Sequence, residues 1–219
     1  MPLTLFAHPF SSYSQKVLIA LYENGTSFDF RVLDPQHPDN GAAFARLWPM
    51  AKFPLLLDSD RPVMESSTII EYLQLHYPGP VRLIPDDRIA GLEVRMLDRI
   101  FDNHVMANMQ RVVADALRPP ERRDAVEVEK AKSALETAYG WLDTHMSRRE
   151  WAAGDFSLAD CAAAPSLFYA DWVHPIEAAR FAALRAYRTR LLARPSFARA
   201  VDEARPFRAY FPLGAPDRD

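Results

Sequence analysis

At 219 residues, with 49% apolar and 25% charged side chains, the chain has ample apolar surface for a packed core and room for two compact domains. A formal charge of −3 without any run of like charges offers no basic field for phosphate backbones or anionic lipid, so neither nucleic acid nor a membrane is an expected partner. The single cysteine, Cys161, excludes an internal disulfide framework and a zinc site built from several thiolates.

The first residues, Met1 to Pro9, lack a basic segment followed by a long apolar one, and no apolar run approaches the ~18 residues that cross a bilayer, so a cytoplasmic location is expected. Leu3 to Ala7 is a short β-prone run ended by Pro9. From Ser14 the pattern turns helical, with Val17, Leu18 and Leu21 on one face, and Gly25 after Asn24 stops it. Phe28 to Leu33 alternates as a second strand, and strand, helix, strand with short joins implies a right-handed parallel unit. A weaker helical stretch spans Ala42 to Leu47. The runs 53–57 and 61–64 flank Asp58-Ser59-Asp60 and predict an antiparallel hairpin. A helix from Ser66 to about Tyr77 follows, with Ile69, Ile70, Leu73 and Tyr77 as its stripe.

Pro78-Gly79-Pro80 and Pro85-Asp86-Asp87 cannot continue a helix, so the first domain is expected over 1–79 and the second over 86–219. The second is read as an all-α bundle with helices near 87–117, 123–147, 157–173, 177–193 and 196–204, ending in an irregular tail. Ser157-x-x-Asp160 is a capping-box variant, Pro165 predicts a kink, and Cys161 among alanines reads as a small buried hydrophobe.

Four local blocks carry a resemblance. Ser11-Ser12-Tyr13-Ser14-Gln15-Lys16-Val17 is similar to the active-site turn of glutaredoxins with both cysteines replaced by serine, and closer still to the serine turn of theta- and zeta-like glutathione transferases. Lys52-Phe53-Pro54 resembles that family's segment ending in a cis proline, Glu65-Ser66 its glutathione motif, and Gly154 to Asp160 its signature in the helical domain. The resemblance implies an α/β thioredoxin-like N-terminal domain followed by an all-α helical bundle domain, an enzyme that uses glutathione without a metal, and a homodimer.

It also implies roles. Ser11, at the amino end of the first helix, would steady a glutathione thiolate; free N–H groups and the helix dipole favour negative charge there. Shifting a thiol by about two units from about 8.5 takes roughly 2.7 kcal/mol, and a hydrogen bond to an anion supplies about 1.5–3 kcal/mol. Ser12 and Tyr13 are rivals for this role, and the serines also suit plain helix capping. Phe53, preceding cis Pro54, would pair its main chain with the cysteinyl unit of glutathione. Glu65 would meet the γ-glutamyl ammonium, Ser66 its carboxylate and Lys52 the glycine carboxylate; an ordinary helix cap at Ser66 is the alternative. The wall for a hydrophobic electrophile is expected from Phe10, Tyr13, Asn103, Met106 and Gln110, with Phe207, Tyr210 and Phe211 of the tail. Two other activities fit the resemblance: a zeta-like isomerase or dehalogenase, and a binding protein that has lost catalysis. Disulfide exchange fits least, since both glutaredoxin thiols are absent.

Overall fold

The computed structural model describes residues 3–219; Met1 and Pro2, which the sequence reading counts in the first domain and in the leader argument, lie outside them. Strand β1 (Leu3–Ala7), helix α1 (Ser12–Glu23), strand β2 (Phe28–Val32), helix α2 (Pro38–Leu47), strands β3 (Leu55–Asp58) and β4 (Arg61–Met64) and helix α3 (Ser66–His76) form a thioredoxin-like unit. The sheet order is β2-β1-β3-β4, with β1 and β2 parallel and the other pairs antiparallel. Period-two alternation divides its faces. Leu3, Leu5 and Ala7 join the main core under α1 and α3, whereas Phe6 packs with Phe44 and Leu55 beneath α2.

The second domain is all helical: α4 (Arg88–Ile100), a π-helical turn (Phe101–Met106), α5 (Ala107–Ala116), α6 (Ala125–Met146), α7 (Leu158–Val173), α8 (Ala182–Ala193), α9 (Pro195–Ala204) and a closing 3-10 turn (Arg205–Tyr210). Helix α7 is apolar all round and buried from Leu158 to Asp171, as befits a helix at the centre of a domain. It packs on α1, α4, α5 and α8, so one continuous core joins Leu18 and Ile70 of the first domain to Leu97, Tyr139 and Leu167 of the second. Its start is fixed as expected: Asp160 accepts from Ser157 N and Oγ at 2.9 and 3.0 Å, and also from Ala152 N and the Tyr187 hydroxyl. Cys161 is buried, and burial pushes its thiol well up.

Several boundaries differ from those predicted, each for a local reason. The helix expected over 87–117 is interrupted by the π-helical turn, which inserts a residue into the ladder without altering the apolar pattern. Helix α8 begins at Ala182 rather than 177, because Asp171 Oδ1 accepts from Ile176 N at 2.7 Å and the chain then closes a separate turn, with Arg180 N and Phe181 N donating to Glu177 O, before the helix starts. Helix α2 starts earlier, at Pro38, a residue suited to the first helical position. The tail from Arg205 to Tyr210 is ordered as a 3-10 turn rather than irregular.

Candidate functional site

Strand register brings the motif segments to one end of the sheet. Phe6 of β1 pairs with Leu55 of β3, and Leu55 pairs with Met64 of β4. The chain just after Ala7, the Phe53–Pro54 peptide just before Leu55, and Glu65–Ser66 just after Met64 therefore converge. The Phe53–Pro54 bond is cis, and Pro54 is buried while Phe53 is half-exposed.

Ser11 occupies the cap position of α1 with extended backbone, and its Oγ accepts from Ser14 N at 3.3 Å. Among the described residues the Ser11 hydroxyl donates to no group, so its proton is available to a ligand. Ser14 is fully buried and does not share this position, while Ser12 is 6% exposed. His8 Nδ1 accepts from Phe10 N at 3.1 Å, and burial lowers the pKa of the ring against an opposing pull from Asp34. The ring packs edge-on against Phe207 at 4.6 Å, docking the tail beside the turn.

A cavity of about 370 Å³ opens here. Phe10, Ser11, Ser12 and Tyr13 line it from the turn, Lys52 and Phe53 from the loop before β3, and Gln110 from α5. Tyr210 and Phe211 of the tail also line it, whereas Phe207 instead packs on His8. Two expectations are corrected: Met106 is 1% exposed within the core, and Asn103 points to solvent outside the cavity. Met109, Val113 and Leu117, further along the same helical stretch, take the wall with Gln110. Tyr169 of α7 and Pro212 complete a lining that sequence periodicity does not single out.

Glu65 and Ser66 stand beside the cavity rather than in its wall. Glu65 holds φ +66°, ψ +117°, and α3 has no side chain capping its amino end. Ser66 is the first helical residue and buried, so it is not the capping serine of the alternative sequence reading. Tyr13 feels this acidic corner: burial first, then Asp102, with smaller contributions from Glu65 and Asp98 against Arg99, push its hydroxyl up to about 12. The phenol is thereby a poorer acid than usual. Beneath it, Lys16 of α1 is 1% exposed and contacts Asp98 Oδ1 at 2.5 Å, Asp102 Oδ2 at 2.7 Å and Ser67 Oγ at 2.9 Å. Among the described residues no group of three or more His, Cys, Asp or Glu side chains is placed to hold a metal ion, and no helix is long and apolar enough to cross a membrane.

Comparison with known proteins gives this geometry a context. Residues 5–81 match the glutathione S-transferase N-terminal domain and residues 105–195 the glutathione S-transferase C-terminal domain. A stringent starvation protein A homolog of Coxiella burnetii is 29% identical over 166 residues, covering 76% of this chain and 75% of that protein. Glutathione S-transferase 3 of Zea mays is 30% identical over 213 residues, covering 91% of this chain and 93% of its own. Among solved structures, a glutathione S-transferase from Methylobacillus flagellatus with glutathione bound superposes with a TM-score of 0.81 at 26% identity, covering 90% of this chain and 98% of that one. With both domain matches in order and a relative alike over almost its whole length, the chain belongs to the glutathione S-transferase family.

Proposed function

We propose that this protein is a glutathione transferase in which Ser11 donates its hydroxyl proton to the glutathione sulfur, steadying the thiolate for attack on a hydrophobic electrophile. The observation that carries the reading is the Ser11 hydroxyl: it sits at the amino end of α1, lines the aromatic-walled cavity, and among the described residues donates its proton to no group. The donor set fits the rest of glutathione. Phe53 offers main chain at the cis peptide, Glu65 a carboxylate for the γ-glutamyl ammonium, Ser66 and the uncapped end of α3 donors for its carboxylate, and Lys52 a cation for the glycine end. The protein's share of catalysis is orientation and electrostatics at the sulfur; glutathione supplies the nucleophile when bound. Phe10, Tyr13, Gln110 and the tail aromatics Tyr210 and Phe211 form the electrophile wall.

In this reading the chain divides into a glutathione domain over 1–79 and a helical domain over 86–219, works in the cytoplasm, and pairs as a two-fold homodimer. Exposed Leu75 on α3 and Ile89, Leu92 and Met96 along one face of α4 support the pairing, since each is a large apolar side chain left exposed, and an ion pair between Glu71 and Arg95 at 2.8 Å links the two helices. The test is turnover of an activated chloronitrobenzene, compared with free glutathione at the same pH. Acceleration is expected; glutathione binding without acceleration would overturn the transferase activity. That second outcome is the signature of a non-catalytic binding protein.

A further inference from the structure

The short loop between β1 and α1 is held with unusual completeness. Two consecutive peptide units precede Ser11, and each is planar, so fixing its oxygen and its N–H fixes its orientation. In the Pro9–Phe10 unit, Gln15 Nε2 donates to Pro9 O at 3.0 Å, and Phe10 N donates to His8 Nδ1 at 3.1 Å. In the Phe10–Ser11 unit, the Tyr169 hydroxyl donates to Phe10 O at 3.0 Å, and Ser11 N donates to His8 O at 3.0 Å. The two outer donors are themselves joined, since Gln15 Nε2 also donates to Tyr169 Oη at 3.0 Å.

From this we infer that Tyr169 and Gln15 are positioning residues for the Ser11 hydroxyl, with Tyr169 coupling its aim to the docking of the helical domain. The inference rests on the role proposed for Ser11. Tyr169 belongs to α7, the central helix of the second domain, and lies 159 residues from Phe10 in sequence. It holds the loop twice, by its hydroxyl and by edge-to-face packing on the Phe10 ring at 5.4 Å between centroids. Both side chains are buried, Gln15 at 0% and Tyr169 at 3% exposed, so water does not replace either bond. Burial pushes the Tyr169 hydroxyl far up, keeping it a proton donor across the working pH range. The one proton of a buried tyrosine hydroxyl needs an acceptor; here the acceptor is the carbonyl of the peptide that begins Ser11.

The experiment compares wild type, Tyr169→Phe, Gln15→Met and the double variant. It follows thiolate absorbance of bound glutathione against pH, glutathione affinity, and turnover of an activated chloronitrobenzene. Loss of aim at the reacting atom lowers kcat about tenfold or more in Tyr169→Phe and moves the thiolate midpoint to higher pH, while glutathione affinity stays within about twofold. Gln15→Met shows the same signature, and the double variant loses far less than the product of the single losses, because both act through one loop. A wild-type midpoint and kcat in both single variants would overturn the inference while leaving the transferase reading intact. So would equal loss of affinity and turnover, which marks a general structural defect. Absence of thiolate in the wild-type protein would overturn the transferase reading and this inference together.

Discussion

Lys16 on α1 is buried between two carboxylates of the second domain, with Nζ 2.5 Å from Asp98 Oδ1 and 2.7 Å from Asp102 Oδ2. The contact crosses from the first domain to the second directly beneath the site. Removing the cation leaves two desolvated carboxylates to share the half-exposed Arg99, which pairs with Asp98 and lies 3.5 Å from Asp102 Oδ2, so Lys16→Met is expected to lower unfolding stability by about 3 kcal/mol. Urea denaturation checks it; a loss under about 1 kcal/mol would assign the cluster the weight of a surface pair.

Asp171 predicts an acid-limb effect. Burial alone raises its carboxyl, but Arg188, the N–H of Ile176, Arg218 and Arg185 outweigh burial and hold it below the usual value. The folded state therefore binds its proton less readily than the unfolded one. The stabilisation is complete above the unfolded pKa of about 3.9 and is lost as pH falls through the lower folded value. Asp171→Asn is expected to be less stable than wild type near pH 7, with the gap closing as pH falls below about 4. A gap in denaturation midpoint that stays constant over that range would contradict the assignment.

Glu65 separates function from stability. Its φ of +66° is a region that favours glycine, and such backbone costs about 1–3 kcal/mol unless the surroundings impose it. Glu65→Gly is expected to be as stable as wild type or more so, yet to bind glutathione ten- to about a hundredfold more weakly through loss of the ammonium contact. Calorimetric affinity within twofold of wild type would remove the carboxylate from the site.

How far the sequence carries the account depends on what each residue's role rests on. Leu3 to Ala7 and the stripe of Val17, Leu18 and Leu21 are local patterns, and they place β1 and α1 where the structure has them. The fold class follows from that order of elements, and the convergence of Phe53, Glu65 and the turn follows from strand register, which the hairpin signal anticipates. The cis Phe53–Pro54 bond is legible only through resemblance, since nothing in the dipeptide demands it. Asn103 and Met106 are expected in the wall only through resemblance, and the π-helical turn in which both lie leaves no mark on the apolar pattern. Tyr169 lies in a helix apolar on every side, where periodicity carries no facing information; its bond to Phe10 is purely tertiary.

The exposed stripe on α4 gives the dimer a direct check. Leu92 is 62% exposed, and on the proposed reading it is covered by a second copy. Leu92→Glu places a charge in that contact and is expected to convert a dimer to a folded monomer in sedimentation, with helical content unchanged. A wild-type mass that is monomeric at all concentrations would contradict the pairing.

Ser11 as the thiolate donor is the centre of the account, and Tyr13 is its rival within the same cavity. The Tyr13 hydroxyl is pushed up to about 12, chiefly by burial and then by Asp102, which suits a phenol lining a wall better than one sharing its proton with an anion. Loss of one charge-assisted hydrogen bond costs about 1.5–3 kcal/mol, or roughly ten- to a hundredfold in thiolate population near neutral pH. The decisive measurement is the pH midpoint of thiolate absorbance for glutathione bound to Ser11→Ala and to Tyr13→Phe. The account predicts a midpoint raised by about one to two units in Ser11→Ala and unmoved in Tyr13→Phe. A raised midpoint in Tyr13→Phe with an unmoved one in Ser11→Ala would contradict it and leave Ser11 as a helix cap alone.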